Sequence, residues 1–162
     1  DWSSDVCSSD LKKFGLMKQG RRLAFDFGTV RIGVAASDNS GIISTPLPFI
    51  SNDENLLANL TSQIAEYQPI YIVVGIPKLL SGSSGGMAKE VTGFVSEIKN
   101  VYSGEIFGID ERFSSKVAHE LLREKGKSSK EARNEVDSLA AAAILNMALD
   151  FEAKGELVNC AL

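Results

Sequence analysis

The sequence predicts an α/β fold: a mixed five-stranded sheet, antiparallel over its first three strands and parallel thereafter, with helices on both faces. Three observations carry this. Two strand-like apolar runs meet at Gly28-Thr29 and read as a β-hairpin. Residues Ile70 to Ile76 (IYIVVGI) are almost continuously apolar, as expected of a central, parallel strand buried on both faces. Helical segments then alternate with the later strands, which parallel crossovers require.

The elements follow in order. In Leu23 to Phe27, Leu23, Phe25 and Phe27 share one face while Ala24 and Asp26 share the other. Arg31 to Ala36 forms the second arm of the hairpin, and Ile42 to Thr45 a short third strand stopped by Pro46 and Pro48. Ser51 followed by Glu54 has the spacing of a capping box and opens a helix bearing Leu56, Leu57, Leu60 and Ile64, closed before Pro69. After the central strand, Lys78 to Gly86 is a Gly/Ser-rich loop. Met87, Val91, Phe94, Val95 and Ile98 then fall at helical spacing. Glu105 to Ile109 is the fifth strand. Val117 to Lys125 is helical and ends at Gly126; Ser128 with Glu131 opens a last helix running to about Ala153.

Composition excludes several classes. The chain has 162 residues, 44% hydrophobic and 23% charged, enough for one domain with its own core and too few for a two-domain kinase-like enzyme. No apolar run approaches the roughly 18 residues of a membrane span. The two cysteines, Cys7 and Cys160, cannot build a disulfide scaffold, which fits a reducing, cytoplasmic setting. Asp1 to Leu11 (DWSSDVCSSDL) has no structural period and resembles a translated adapter. We therefore expect residues 1–16 to be a non-native leader, 17–155 the domain and 156–162 a short tail. The net charge of −4 excludes bulk attraction to nucleic acid. Six basic residues against three acidic between Lys116 and Arg133 leave room for a local phosphate-binding patch.

Three acids sit where acids are unusual. Asp26 lies in an otherwise apolar strand, where an unpaired carboxylate costs several kcal/mol unless it meets backbone amides or a cation. Asp110 and Glu111 close a strand, at the sheet end where α/β proteins place ligands; a helix cap or an ion pair with Arg112 is the alternative. Asp137 shares a helical stripe with Ala140, Ala141 and Ile144, a small apolar face suited to packing on a sheet. Carboxylates gathered from three elements call for a divalent cation. With oxygen donors only, Mg²⁺ or Mn²⁺ is favoured over zinc. Two features carry no site: Gly82 to Lys89 lacks the Gly-Lys-Ser/Thr ending of a phosphate-binding Walker loop, and His119 sits in a helix beside Val117, Leu121 and Leu122.

Four collinear segments resemble the YqgF/RuvX family of RNase H-like nucleases. They are Asp26-Phe-Gly-Thr-Val-Arg-Ile-Gly-Val-Ala35, Val74-Gly-Ile-Pro77 with Leu80-Ser-Gly82, Asp110-Glu-Arg-Phe-Ser114, and Val136-Asp-Ser-Leu-Ala-Ala141 with Ile144-Leu145. Together they span about residues 21–151. Ser81 stands where the family often has Asp, so no ligand is expected there. The resemblance implies an RNase H-like fold and assigns Asp26, Glu111 and Asp137 as the catalytic, metal-binding set. It further implies hydrolysis of phosphodiester bonds at the 5′ end of pre-16S ribosomal RNA, free or in ribosomal precursor particles, by a monomer or homodimer. Holliday junction resolution on branched DNA is the alternative function; a non-catalytic nucleic-acid-binding module is another. An actin-like phosphotransfer module, which the Asp-Phe-Gly-Thr turn also resembles, is disfavoured by length. Arg31, Arg112, Lys127 and Lys130 are the candidate phosphate contacts.

Overall fold

The computed structural model describes residues 18–76, 86–110 and 129–162. The strands are β1 (Leu23–Asp26), β2 (Arg31–Ser37), β3 (Ser44–Ser51), β4 (Tyr71–Ile76) and β5 (Glu105–Asp110). The helices are α1 (Leu56–Tyr67), α2 (Gly86–Val101) and α3 (Ser129–Ala153), with a closing 3₁₀ turn at Leu157–Cys160. One sheet holds all five strands in the order β3-β2-β1-β4-β5. β1 runs antiparallel to β2 and parallel to β4; β4 is parallel to β5, and β3 is an antiparallel edge strand. The hairpin, the central parallel strand and the helices on both faces are as the sequence predicts.

The alternation in β1 divides the interior. Leu23 and Phe25 enter one core with Ile72, Val74, Phe94 and Ile98, covered by α1 and α2. Phe25 meets Phe94 edge-on at 5.9 Å between centroids. Ala24 enters a second core with Ala35, Val73, Ala141, Ile144 and Leu145, covered by α3. Alanines on both surfaces let α3 lie close against β1, β2 and β3. Asp26 continues the Ala24 face, so the sheet directs it to the side covered by α3.

Three expectations require correction. The third strand is Ser44–Ser51 and runs through Pro46 and Pro48. An edge strand has one side with no ladder partner, so prolines there cost no hydrogen bond. Ile42 and Ile43 precede the strand; their backbone N–H groups donate to the Asp38 carboxylate at 2.8 and 3.0 Å. Nor do Ser51 and Glu54 form a capping box. Ser51 is the last residue of β3, and α1 starts at Leu56 with Asn55 at its N-cap and no side-chain cap. The turn is held instead by the Asp53 carboxylate, which accepts from the Asn55 N–H at 2.8 Å. Leu57, expected on the apolar face of α1, is largely exposed. The proposed helix at 117–125, the box at Ser128 and Glu131, and the leader 1–16 lie outside the described residues.

The end of the sheet opposite Asp26 is locked by a buried ion pair. Arg22 is fully buried, and its guanidinium donates to Glu152 in α3 at 2.7 and 3.2 Å. It also donates to the carbonyls of Gly20 and Lys18, both at 2.6 Å. The Tyr71 hydroxyl donates to the same Glu152 carboxylate at 2.8 Å. Burial, reinforced by the Glu152 charge, pushes the Tyr71 pKa far above the usual phenol range. Because every guanidinium nitrogen finds an acceptor, the charge survives burial. Residues 156–162 also pack on this end: Leu157 enters the second core, and Ala161 bridges Phe107 on the free edge of β5.

Candidate active site

Asp26 is the last residue of β1, half-buried, at the carboxyl end of a strand flanked on both sides. Its register partner in β2 is Gly33. On its other side the parallel register, Phe25 beside Val74, brings it next to Gly75. Both glycines are buried. The carboxylate is thus bordered along the sheet by two residues without side chains, which leaves a shelf on either side of it at the level of the sheet.

The turn after Asp26 is fixed from beneath. The Asn52 side chain donates to the Gly28 carbonyl at 2.9 Å, and the Asn52 backbone N–H donates to the Val30 carbonyl at 2.9 Å. A Cβ on Gly28 would fall well inside 3.0 Å of the Arg31 carbonyl oxygen, so the turn accepts only glycine there.

Helix α3 carries Asp137. Asp137 lies in α3 one turn before Ala140 and Ala141, both buried, and Ala141 packs on the face that carries Asp26. Two hydroxyls latch this helix to the edge strand. Ser138 donates to the Leu47 carbonyl, and Ser44 donates to the Ala142 carbonyl at 2.9 Å. Ser138 is the immediate neighbour of Asp137, so the latch fixes the turn of α3 that holds the acid. The sequence reading missed Ser138; its one signal is a hydroxyl directly before an unbroken apolar run.

β5 sets the face on which Asp110 lies. Phe107 and Ile109 enter the core beneath α3, and Ile106 enters the opposite one. By alternation Asp110 falls on the sheet face opposite Asp26. Glu111, Arg112 and Lys127 lie outside the described residues; Lys130 lies in the first turn of α3. Arg31 opens β2 two residues before Gly33, on the Asp26 face, with its guanidinium 5.1 Å from the centre of the Phe49 ring. Among the described residues no group of three or more His, Cys, Asp or Glu could hold a metal ion. The sequence-predicted set Asp26, Glu111 and Asp137 offers only oxygen donors, a chemistry that fits a hard divalent cation.

A hairpin whose first strand ends in Asp26, parallel strands beside it and a long helix across that face give an RNase H-like fold, the fold of a class of nucleases. Residues 20–151 match the family described as "RuvX: Holliday junction resolvase". The chain belongs to the RuvX family. It is 40% identical over 139 residues to a protein of Streptomyces coelicolor named "Putative pre-16S rRNA nuclease", covering 84% of this chain and 83% of that one. A Sulfurihydrogenibium protein of the same name is 42% identical over 133 residues, covering 80% and 90%. Among solved structures, Thermus thermophilus RuvC in complex with a Holliday junction substrate superposes with a TM-score of 0.62 at 12% identity, covering 88% of this chain and 99% of that one. The same protein in a second structure gives a TM-score of 0.55. This likeness carries the fold. Among the described residues no helix is long and apolar enough to cross a membrane.

Proposed function

We propose that this chain is a divalent-cation-dependent nuclease that processes the 5′ end of pre-16S ribosomal RNA in the cytoplasm. The observation that carries the reading is Asp26: an acid at the end of the central strand, bordered by Gly33 and Gly75, beneath the helix that holds Asp137. Its relatives named for pre-16S rRNA support the choice of substrate.

Asp26, Glu111 and Asp137 are the residues that would hold Mg²⁺ or Mn²⁺. Bound there, the cation would supply Lewis-acid stabilisation of the charge that builds on the phosphate oxygens. The protein's own contribution is placement. β1 presents Asp26 from a rigid strand, and Asn52 with Gly28 fixes the turn behind it. The Ser138 latch sets the α3 turn that carries Asp137. The glycine shelf lets a phosphodiester backbone approach the sheet without meeting a side chain. Arg31, on the same face, neutralises a phosphate next to the one being cut, and Arg112, Lys127 and Lys130 extend the contact along the strand. Such contacts orient the RNA without reading its sequence, so recognition rests on the shape of the precursor, free or within a ribosomal precursor particle. One protomer holds a full set of acids, which suits single-site trimming by a monomer; a homodimer would suit a two-fold-symmetric substrate.

The family description favours one second reading, resolution of four-way DNA junctions. Cleavage of a labelled RNA bearing the 16S 5′ precursor region, set against a labelled four-way DNA junction, separates the two. Each is run with Mg²⁺, with Mn²⁺ and with chelator. Cation-dependent cutting of the RNA alone is expected; cutting of the junction alone moves the activity to DNA recombination.

A further inference from the structure

We propose that Phe49 is a base-stacking platform for a nucleotide flanking the scissile phosphate, with Arg31 as its cationic backing. The proposal rests on the nuclease reading of Asp26.

Register carries the argument. Ile32 pairs with Ile50 and Val34 with Leu47, so the single residue Gly33 faces two, Pro48 and Phe49, across a bulge in β3. Ile50 and Leu47 both pack into the core under α1 and α2. Phe49, next to Ile50, therefore turns to the other face, the face of Asp26. Its contact with Arg31 agrees: Arg31 pairs with Ser51 and meets Phe49 as a diagonal neighbour, its guanidinium 5.1 Å from the ring centre.

The order across the sheet end is then Phe49, Gly33, Asp26 and Gly75. Phe49 stands two strand spacings, roughly 10 Å, from the acid. The β2 residue between them is Gly33. That separation suits a strand whose phosphate sits at Asp26 while the base of a nearby nucleotide reaches the ring. Phe49 is 38% exposed although its core-facing neighbour Ile50 is only 5% exposed. A half-exposed aromatic with an arginine on it, beside a phosphate-cutting acid, fits a nucleobase. Stacking is sequence-tolerant because every base has a π-face.

The test uses Phe49→Ala, Phe49→Leu and Phe49→Trp in the full chain. Substrates are the 16S 5′ precursor RNA and a set of the same RNA with single abasic nucleotides near the cut. Phe49→Ala and Phe49→Leu are expected to raise KM about five- to tenfold with kcat changed less than about twofold, and Phe49→Trp to keep the wild-type KM. One abasic position should weaken wild type by a similar factor and leave Phe49→Ala indifferent, which a merely structural role for the ring would not produce. Binding of the labelled RNA in Ca²⁺, followed by anisotropy, reads the same effect without cleavage. If wild type binds but does not cut, and Phe49→Ala still loses affinity, the platform stands and the nuclease reading falls. If wild type cuts while Phe49→Ala and the abasic scan are flat, the platform alone is overturned. If wild type neither binds nor cuts, both are overturned.

Discussion

Replacing Gly28 by alanine should damage the site through the backbone alone. The added Cβ would fall well inside 3.0 Å of the Arg31 carbonyl oxygen, which belongs to the start of β2 and cannot rotate away. Reaching ordinary contact requires the two backbone segments to part by about 1 Å, an overpacking strain worth about 1–3 kcal/mol. The same movement stretches the two 2.9 Å hydrogen bonds by which Asn52 holds the turn, each worth about 1 kcal/mol. If both bonds are lost the total is about 3–5 kcal/mol. Urea denaturation should show a lower midpoint at unchanged slope, the sign of lost stability without a change in unfolding surface. Asn52→Ala is the companion variant: it removes the side-chain bond without the clash and should lose about 1 kcal/mol. Because the turn directly follows Asp26, cleavage by Gly28→Ala should fall at least tenfold at temperatures where it remains folded. A Gly28→Ala protein with the wild-type midpoint would refute the reasoning, since the clash would then have been absorbed at no cost.

Other expectations follow from the same contacts. Glu152→Ala leaves the buried Arg22 charge and the Tyr71 hydroxyl without their shared acceptor and should cost about 3–5 kcal/mol. At about 2–4 °C per kcal/mol, calorimetry should show a melting temperature lower by roughly 6–20 °C. Ser138→Ala strands the Leu47 carbonyl and should cost about 1–2 kcal/mol, with a drop in kcat larger than any change in KM, because it loosens the turn holding Asp137. Stability should fall at both extremes of pH. Tyr71, its pKa raised by burial and by Glu152, gives a contribution that is whole below the ordinary phenol value of 10.0 and is lost as pH rises beyond it. Asp38, its pKa lowered by the Ile43 and Ile42 N–H groups, gives one present above 3.8 and lost as pH falls through its folded value. Melting temperature against pH should show a plateau between these values with a decline on either side.

What the sequence makes legible here is what local period encodes. Leu23, Phe25 and Ala24 announce a two-faced strand, and IYIVVGI announces burial on both faces; the sheet places them accordingly. Asp26 stands out because it interrupts such a run. The α3 stripe shows the same logic at helical period. What stays hidden depends on distant partners. Pro46 and Pro48 end a strand only if both its sides must pair, and nothing local says that β3 is an edge. Ser51 is used by the sheet, so its spacing from Glu54 signifies nothing for α1. Arg22 owes its burial to Glu152, 130 residues later, and Ser138 bonds a carbonyl 91 residues earlier. No periodicity reports such pairs. Phe49 falls beyond Pro46 and Pro48, where the sequence predicts that the third strand has already stopped; the bulge opposite Gly33 puts it on the Asp26 face.

The central claim is that Asp26 belongs to a cation-dependent nucleolytic site. Its most direct test is cleavage of the 16S 5′ precursor RNA by wild type and Asp26→Asn side by side, with Mg²⁺ or Mn²⁺ and with chelator. The exchange keeps size and removes the charge, and a matched thermal melt shows that both proteins are folded. We predict that wild type cuts only with the cation and that Asp26→Asn loses at least 10³-fold, roughly the scale of removing one preorganised transition-state contact. A folded Asp26→Asn protein that cuts at the wild-type rate would contradict the account and place the chemistry elsewhere in the fold.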